Sequence, residues 1–540
     1  MTTRNGTGSV PSKAGCAAAV GLALLAIPAL PAGTVSVADD DAAVVHVLNR
    51  LSYGPRPGEV HKVKAIGLRT WIDRQLEPGR LADPALGARL ARLRTGSLSS
   101  HELIEGYEVP REARRDIAAR RAEMESASEE EMRAARRELM RKYAGQMEGS
   151  PRLVVAELQQ AKVLRAIYAE RQLDEVMADF WLNHFNVFAQ KGPVKFLLAE
   201  YEREVIRPRA WGRFEDLLLA TAESPAMLFY LDNWLSADPN ARSVEAGRRG
   251  ARGTTPRRPD AQGPGRRRGL NENYAREIME LHTLGVEGGY TQKDVTEVAR
   301  CFTGWTIRGL REGRPEFHFE PRLHDPGDKV VLGQTISGGG QDEGRKVIRL
   351  LATHPSTARF IAAKLVRRFV ADDPPAALVD RAAAVFGKTG GEIRAVVRAI
   401  VTAPEFLGAE HRNAKVKTPL ELVASAVRAS GATVDDAGAL ARRIGDMGMP
   451  LYMQQPPTGY KDTSDAWVST SGLLARLNFA LDLAGGRIAG VTLDPSRLTP
   501  AALVPQGLSE TTRKTIDAEE GLSPARVAGL VLGSPEFQRR

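Results

Sequence analysis

At 540 residues, with 43% hydrophobic and 26% charged side chains, the chain can bury a large core, which excludes wholesale disorder. Its net charge of +9 is concentrated: residues 236–270 hold nine Arg against Asp238, Glu245 and Asp260 (+6), and Arg4 and Lys13 add +2, leaving 9 − 6 − 2 = +1 elsewhere. A nucleic-acid surface needs basic groups interleaved with stacking aromatics, and 236–270 contains no aromatic, so no nucleic-acid partner is expected.

The N-terminus reads as an export signal covering 1–38. Arg4 and Lys13 form a basic start, Ala14 to Leu30 is apolar, and Ser36-Val37-Ala38 offers small residues for cleavage before Asp39. An uncleaved anchor is the alternative, but Pro28 and Pro31 break a run already short for a span of about 20 residues. Export to the periplasm, envelope or medium is therefore expected, with no transmembrane helix in the mature chain. Cleavage would leave Cys301 as the one cysteine, too few for an internal disulfide.

Residues 39–540 read as one large domain, mostly α, with a multi-helix bundle-like core and one small β-hairpin. Residues 41–76 give two short helices around a turn at Tyr53–Gly58, which holds two prolines and two glycines. Residues 111–148 are a charge-dense helical excursion, and 236–270 a flexible Arg-rich insertion. Leu173 to Phe188 is apolar on most sides, with Asp179, Asn183 and Asn186 on one narrow strip. Ser224-Pro225, Ala403-Pro404 and Ser534-Pro535 look like one helix-ending device used repeatedly.

Asn271 or Asn273 can cap the next helix. Tyr274, Ile278 and Leu281 form its apolar face, and Asn273, Arg276, Glu277 and Glu280 its polar face at i, i+3, i+4, i+7. Gly285 ends it, and Thr291 with Asp294 forms a capping box for a helix with Val295, Val298 and Ala299 inward. The expected hairpin pairs Phe317 and Phe319 with Lys329 to Leu332, across a turn at 324–328.

The chain resembles the exported bacterial family known as domain of unknown function 1800. The resemblance rests on HVLNRLSYGP (46–55), DFWLNHFNVF (179–188), MLFYLDN (227–233) and NENYAREIMELHTLGVEGGYTQKDV with ARCFTGWT (271–306). It continues through HDPGDKVVLG (324–333), HPSTARFIAAKLVRRFV (354–370), KTPLELV (417–423) and the PPTGY, Trp467 and LLAR run (456–476). The resemblance implies export and a mostly helical fold. It also implies, from gene neighbourhood, a second exported, sulfatase-like protein as partner. It implies no reaction and no catalytic residue.

Several motifs fail. Gly387-Lys388-Thr389 lacks the first glycine of a phosphate loop, where Ala382 stands, and His101-Glu102 lacks a second His at i+4. What remains is Asp179, Asn183 and Asn186 on one helix and Asn273, Arg276, Glu277 and Glu280 on another. If both helices are buried, the two strips face each other, with Arg276 paired to Asp179 or to a Glu. As a structural network, the strips saturate one another. As a catalytic site, Glu277 and Glu280 share a proton or hold a divalent cation, while Asn183 and Asn273 orient a substrate. His184 and His282 leave the polar faces and read as core histidines. Two functions follow: a hydrolase-like enzyme acting on envelope or extracellular material, or a non-catalytic envelope assembly or binding protein.

Overall fold

Helix starts in this chain are written locally, as an oxygen-bearing side chain followed by proline or by an acid three residues on. The computed structural model describes residues 41–124, 127–241, 269–519 and 521–540. The proposed signal at 1–38 and residues 242–268 of the Arg-rich insertion lie outside the described residues. The fold is mostly α-helical. Among the described residues, strands are confined to short antiparallel pairs, and no helix is long and apolar enough to cross a membrane.

The three Pro breaks each follow the end of a helix, at Ala222, Val401 and Leu532, and each also starts the next one. Pro225, Pro404 and Pro535 each occupy the first turn of a short helix: Pro225–Tyr230, Pro404–Leu407 and Pro535–Gln538. Ser224 and Ser534 cap the first and last of these through their hydroxyls. Proline has no amide hydrogen to lose at that position and its φ is already helical. Farther upstream, the second predicted helix of 41–76 is split at Gly67, whose φ of 84° admits no continuous helix, into Glu59–Ile66 and Leu68–Gln75. The charged excursion forms two helices, Arg111–Glu123 and Glu129–Lys142. Asp116 ties them, accepting from Lys142 at 3.1 Å and from the Tyr143 hydroxyl at 2.6 Å.

One continuous apolar cluster runs from Val44 and Leu48 through Trp181, Phe185, Phe214 and Leu365 to Phe537. A satellite of Leu103, Tyr107, Val154, Phe196 and Ala199 is separate from it.

The expected hairpin is corrected. Both predicted strands form, but each pairs with another neighbour. Glu316–Phe319 pairs with Trp305–Arg308, setting Trp305 opposite Phe319 and Ile307 opposite Phe317. Lys329–Val331 pairs with Gln334–Ile336. Leu332 and Gly333, with φ of 49° and 75°, make the two-residue turn whose twist suits a hairpin. The 324–328 segment cannot serve as that turn because it is held elsewhere: Arg300 grips Asp325 with two hydrogen bonds of 2.7 and 3.1 Å. His324, at the start of that segment, is buried, with Nε2 3.0 Å from Glu343.

Candidate functional site: a cation-lined cavity at Lys364 and His184

The polar helix of the fingerprint stretch spans Glu272–Glu280. Asn271 caps it, accepting from the Tyr274 amide at 3.2 Å. Thr291 and Asp294 form the anticipated capping box of Gln292–Cys301. Tyr274, Ala275, Ile278 and Met279 are buried, so the opposite, polar face lies at the surface. Asn273 is exposed. Arg276 donates to Gln292 at 2.6 Å, and Glu280 accepts from the Tyr290 hydroxyl at 3.0 Å. Glu277 is half-buried, and burial, then the neighbouring Glu280 charge, raises its carboxyl above the usual range.

The two polar strips therefore do not pair with each other. The premise that both helices are buried fails for Glu272–Glu280, which is amphipathic with a solvated face. Asp179 pairs with Lys162 at 2.6 Å, not with Arg276. Asn186 and Tyr230 both hold the backbone at 454–456 instead. Asn186 donates to the carbonyls of Gln454 and Pro456, both at 2.9 Å. Tyr230, whose hydroxyl feels the Glu277 charge, donates to the Gln455 carbonyl at 2.6 Å. Asn186 itself lies beyond its helix, which ends at His184.

The strip on Gln172–His184 has a definite task. Asn183 clasps Tyr460 with two bonds, its Nδ2 donating to the carbonyl at 2.8 Å and its Oδ1 accepting from the amide at 2.7 Å. Gly459 precedes this clasp with φ of 70°, and a Cβ there would run into the Asn183 carbonyl. Tyr460 in turn donates to the Pro450 carbonyl at 2.6 Å. The Pro-rich segment is thus pinned across one end of the helix.

A cavity of about 330 Å³ lies beneath this segment, and Asp179 and Asn183 line it. Glu277 and Glu280 do not. Its chemistry comes from residues that local sequence rules would leave on a solvated face. The helix Pro355–Phe369 buries Ile361, Ala362, Leu365 and Phe369 in the core. Lys364, Arg367 and Arg368, at i, i+3 and i+4, turn to the cavity instead.

Lys364 Nζ is 2.9 Å from His184 Nδ1, and His184 Nε2 is 3.1 Å from the His282 carbonyl. A carbonyl only accepts, so Nε2 carries the imidazole proton and Nδ1 accepts from Lys364. Burial, reinforced by Lys364 and His282, holds His184 well below the usual histidine range, which keeps it neutral. Burial likewise brings the Lys364 amine down to about 8, against the pull of Asp462 and with help from Arg367. The amine also sits 5.5 Å from the Phe360 ring centre. An ordinary lysine is protonated at neutral pH; this one has an appreciable neutral fraction.

Behind Lys364, Arg368 is held by Glu421 at 2.9 Å. Glu421 also takes Arg540 at 3.1 Å and closes a capping box with Thr418. Burial pushes the Glu421 carboxyl up, but Arg540 and Arg368 outweigh it and bring it down to about 2. His282, like His184, is a buried histidine, held down to about 3 by burial and then by Lys364. Among the described residues, no cluster of three or more His, Cys, Asp or Glu is placed to hold a metal ion.

The fold and the site together define a mostly helical protein with a partly open, cation-lined cavity that has an amine–imidazole pair in its wall. The chain belongs to the family described as protein of unknown function (DUF1800), whose model matches residues 46–539. Nothing matches among curated proteins or among solved structures.

Proposed function

We propose that the protein is an exported, hydrolase-like enzyme whose site is the cavity at Lys364, with the leader-like residues 1–38 as the basis for export. The observation that carries the catalytic part is the Lys364–His184 pair: a cavity-lining amine brought down to about 8 and oriented by a neutral imidazole. A base tuned towards the working pH is what general-base chemistry requires.

In the proposed step, neutral Nζ takes a proton from water as its oxygen bonds to a substrate carbonyl carbon. The tetrahedral intermediate then expels the leaving group, which takes that proton from the Lys364 ammonium. His184 Nδ1 accepts one amine hydrogen throughout, fixing the direction of the lone pair. Of the residues first singled out, Asp179 and Asn183 form part of this wall, and Glu277, Glu280, Arg276 and Asn273 stand away from it.

One observation favours a second reading, a non-catalytic binding protein. Asp179, Asn183 and Asn186 are all engaged in ion pairs or hydrogen bonds that pin neighbouring elements. A panel of small esters and amides separates the two. The enzyme reading expects hydrolysis rising with pH through about 8 and falling about a hundredfold or more in Lys364→Met, within the range for loss of a general base. A folded wild-type protein inert to the whole panel, or a Lys364→Met variant as active as wild type, would decide for the binding protein.

A further inference from the structure

We propose that the charged helical excursion is a docking seat for an acidic amphipathic helix of a partner protein. The seat is the groove between its two helices, Arg111–Glu123 and Glu129–Lys142, and it shares no residue with the cavity at Lys364. The two helices leave their apolar side chains uncovered. Glu129–Lys142 buries no residue, and Arg111–Glu123 buries only Ala113. Most of a helix's stability in a protein comes from packing an amphipathic face. Here that face is present without a cover.

The apolar side chains select the shape of the occupant. Ile117 and Met124 stand at i and i+7 along the first chain segment, and Met132, Ala135 and Leu139 at i, i+3 and i+7 along the second. All of them line one groove of about 330 Å³. Two stripes with this repeat form a seam into which a third helix with the same repeat packs. An extended peptide would need an open sheet edge, and the groove is walled by the helical hairpin alone. Methionine suits such a seat, because its flexible thioether adapts to what docks on it.

The rim selects the charge. Arg120, Arg121, Arg133 and Arg136 line the groove against a single acid, Glu129. The rim is open to solvent: the Arg120 and Arg133 side chains are 55% and 71% exposed. Each meets only an exposed acid nearby in its own helix, Glu123 at 3.1 Å and Glu129 at 2.7 Å, and such pairs are cheap to exchange. Arg136 has no ion-pair partner among the described residues. Arg136 and Ile117 also line a neighbouring cavity of about 830 Å³, so the seat continues past the hairpin. A second copy of the chain seated face to face would set these arginines against one another. A lipid surface would require the apolar side chains to protrude, and these line a recess. An acidic helix with one apolar stripe satisfies both floor and rim.

The test uses the full-length protein and fluorescence anisotropy with three labelled peptides of about 20 residues, long enough to form helix. The first carries leucine in a seven-residue repeat flanked by glutamate, the second has the same composition scrambled, and the third has lysine in place of glutamate. The first is expected to bind about tenfold or more tightly than the others, and more weakly as salt screens the rim. Arg136→Glu is expected to weaken it about tenfold, by setting like charges together. Met132→Asp, which places a charge on the apolar floor, is expected to remove binding. Far-UV circular dichroism checks that both variants keep their helices, and if either does not, the comparison of the three peptides on wild type decides alone. Equal binding of the three peptides, no binding of the first, binding insensitive to salt, or binding unchanged in either folded variant would overturn the assignment. Preference for phosphatidylglycerol vesicles over the first peptide would overturn it in favour of a lipid surface. Self-association that Met132→Asp abolishes would overturn it in favour of a contact between copies.

Discussion

Replacing Lys364 by Met should make the protein more stable at pH 7. The folded amine titrates near 8, against a reference value of 10.5, with burial as the dominant cause. The folded state therefore resists protonating a group that the unfolded chain protonates freely, and the sign follows from that. Between pH 8 and 10.5 the unfolded state binds more protons, so wild-type stability rises with pH through this window. Below pH 8 both states carry the charge, and the folded state bears the full penalty of burying it. A shift of this size corresponds to about 3 kcal/mol, less about 1 kcal/mol for the lost bond to His184, so Met should gain about 2 kcal/mol. Urea denaturation at pH 7 and pH 10 measures it. The gain should be present at pH 7 and largely gone by pH 10. A variant equally stable or weaker at pH 7 would mean that the amine is solvated and not tuned. If the gain is found together with loss of hydrolysis, the same residue is a liability to the fold and necessary to the chemistry.

The opposite effect is expected at Glu421. Its carboxylate holds both Arg368 and Arg540, at 2.9 and 3.1 Å. Glu421→Gln keeps the shape and removes the charge, leaving two buried guanidinium groups without their partner. Breaking such a pair from one side costs about 3–5 kcal/mol. The pH dependence has a definite direction, because the folded carboxyl is held at about 2, below the reference value of 4.5. Its stabilisation is complete above 4.5 and is lost as pH falls towards 2. The deficit of Glu421→Gln, read from urea midpoints, should therefore shrink as the pH is lowered from 5 to 3. A deficit under about 1 kcal/mol, the scale of a solvent-exposed pair, would show that water reaches this centre.

Both residues illustrate what the sequence could and could not disclose. Helix starts were legible because their causes are local. Asn271 reaches an amide three residues on, and Thr291 and Asp294 satisfy each other across a single turn. The apolar faces at Tyr274, Ile278, Val295 and Val298 followed from periodicity alone. Strand pairing was not legible. Phe317 and Phe319 announced a strand, but its partner is Trp305–Arg308 and not Lys329–Val331, which pairs with Gln334–Ile336.

The site was half legible for the same reason. Asp179 and Asn183 stood out because polar groups on an apolar helix need partners, and they do line the cavity. Lys364 and Arg368 carried no such signal. Two cations near the end of an amphipathic helix read as a solvated face that complements the helix dipole. Their burial is imposed by residues far away in the chain: His184, 180 positions earlier, and the later Pro-rich segment that Asn183 pins. Periodicity within one helix cannot report what a distant loop will cover. Conversely, Glu277 and Glu280 could face Asp179 and Asn183 only if both helices were buried, and Tyr274, Ala275, Ile278 and Met279 are the buried residues of theirs. Those apolar residues occupy the opposite face.

Competitive acylation reads whether Lys364 is a tuned amine opening into the cavity. Intact protein would be treated with trace acetic anhydride over pH 6–11, and each lysine read by peptide mass spectrometry. Lys364 is expected to react with a midpoint near 8, well below the ordinary lysine value of about 10.4. A Lys364 midpoint at that ordinary value, or an amine unreactive across the range, would show that the side chain is either solvated or sealed from the cavity.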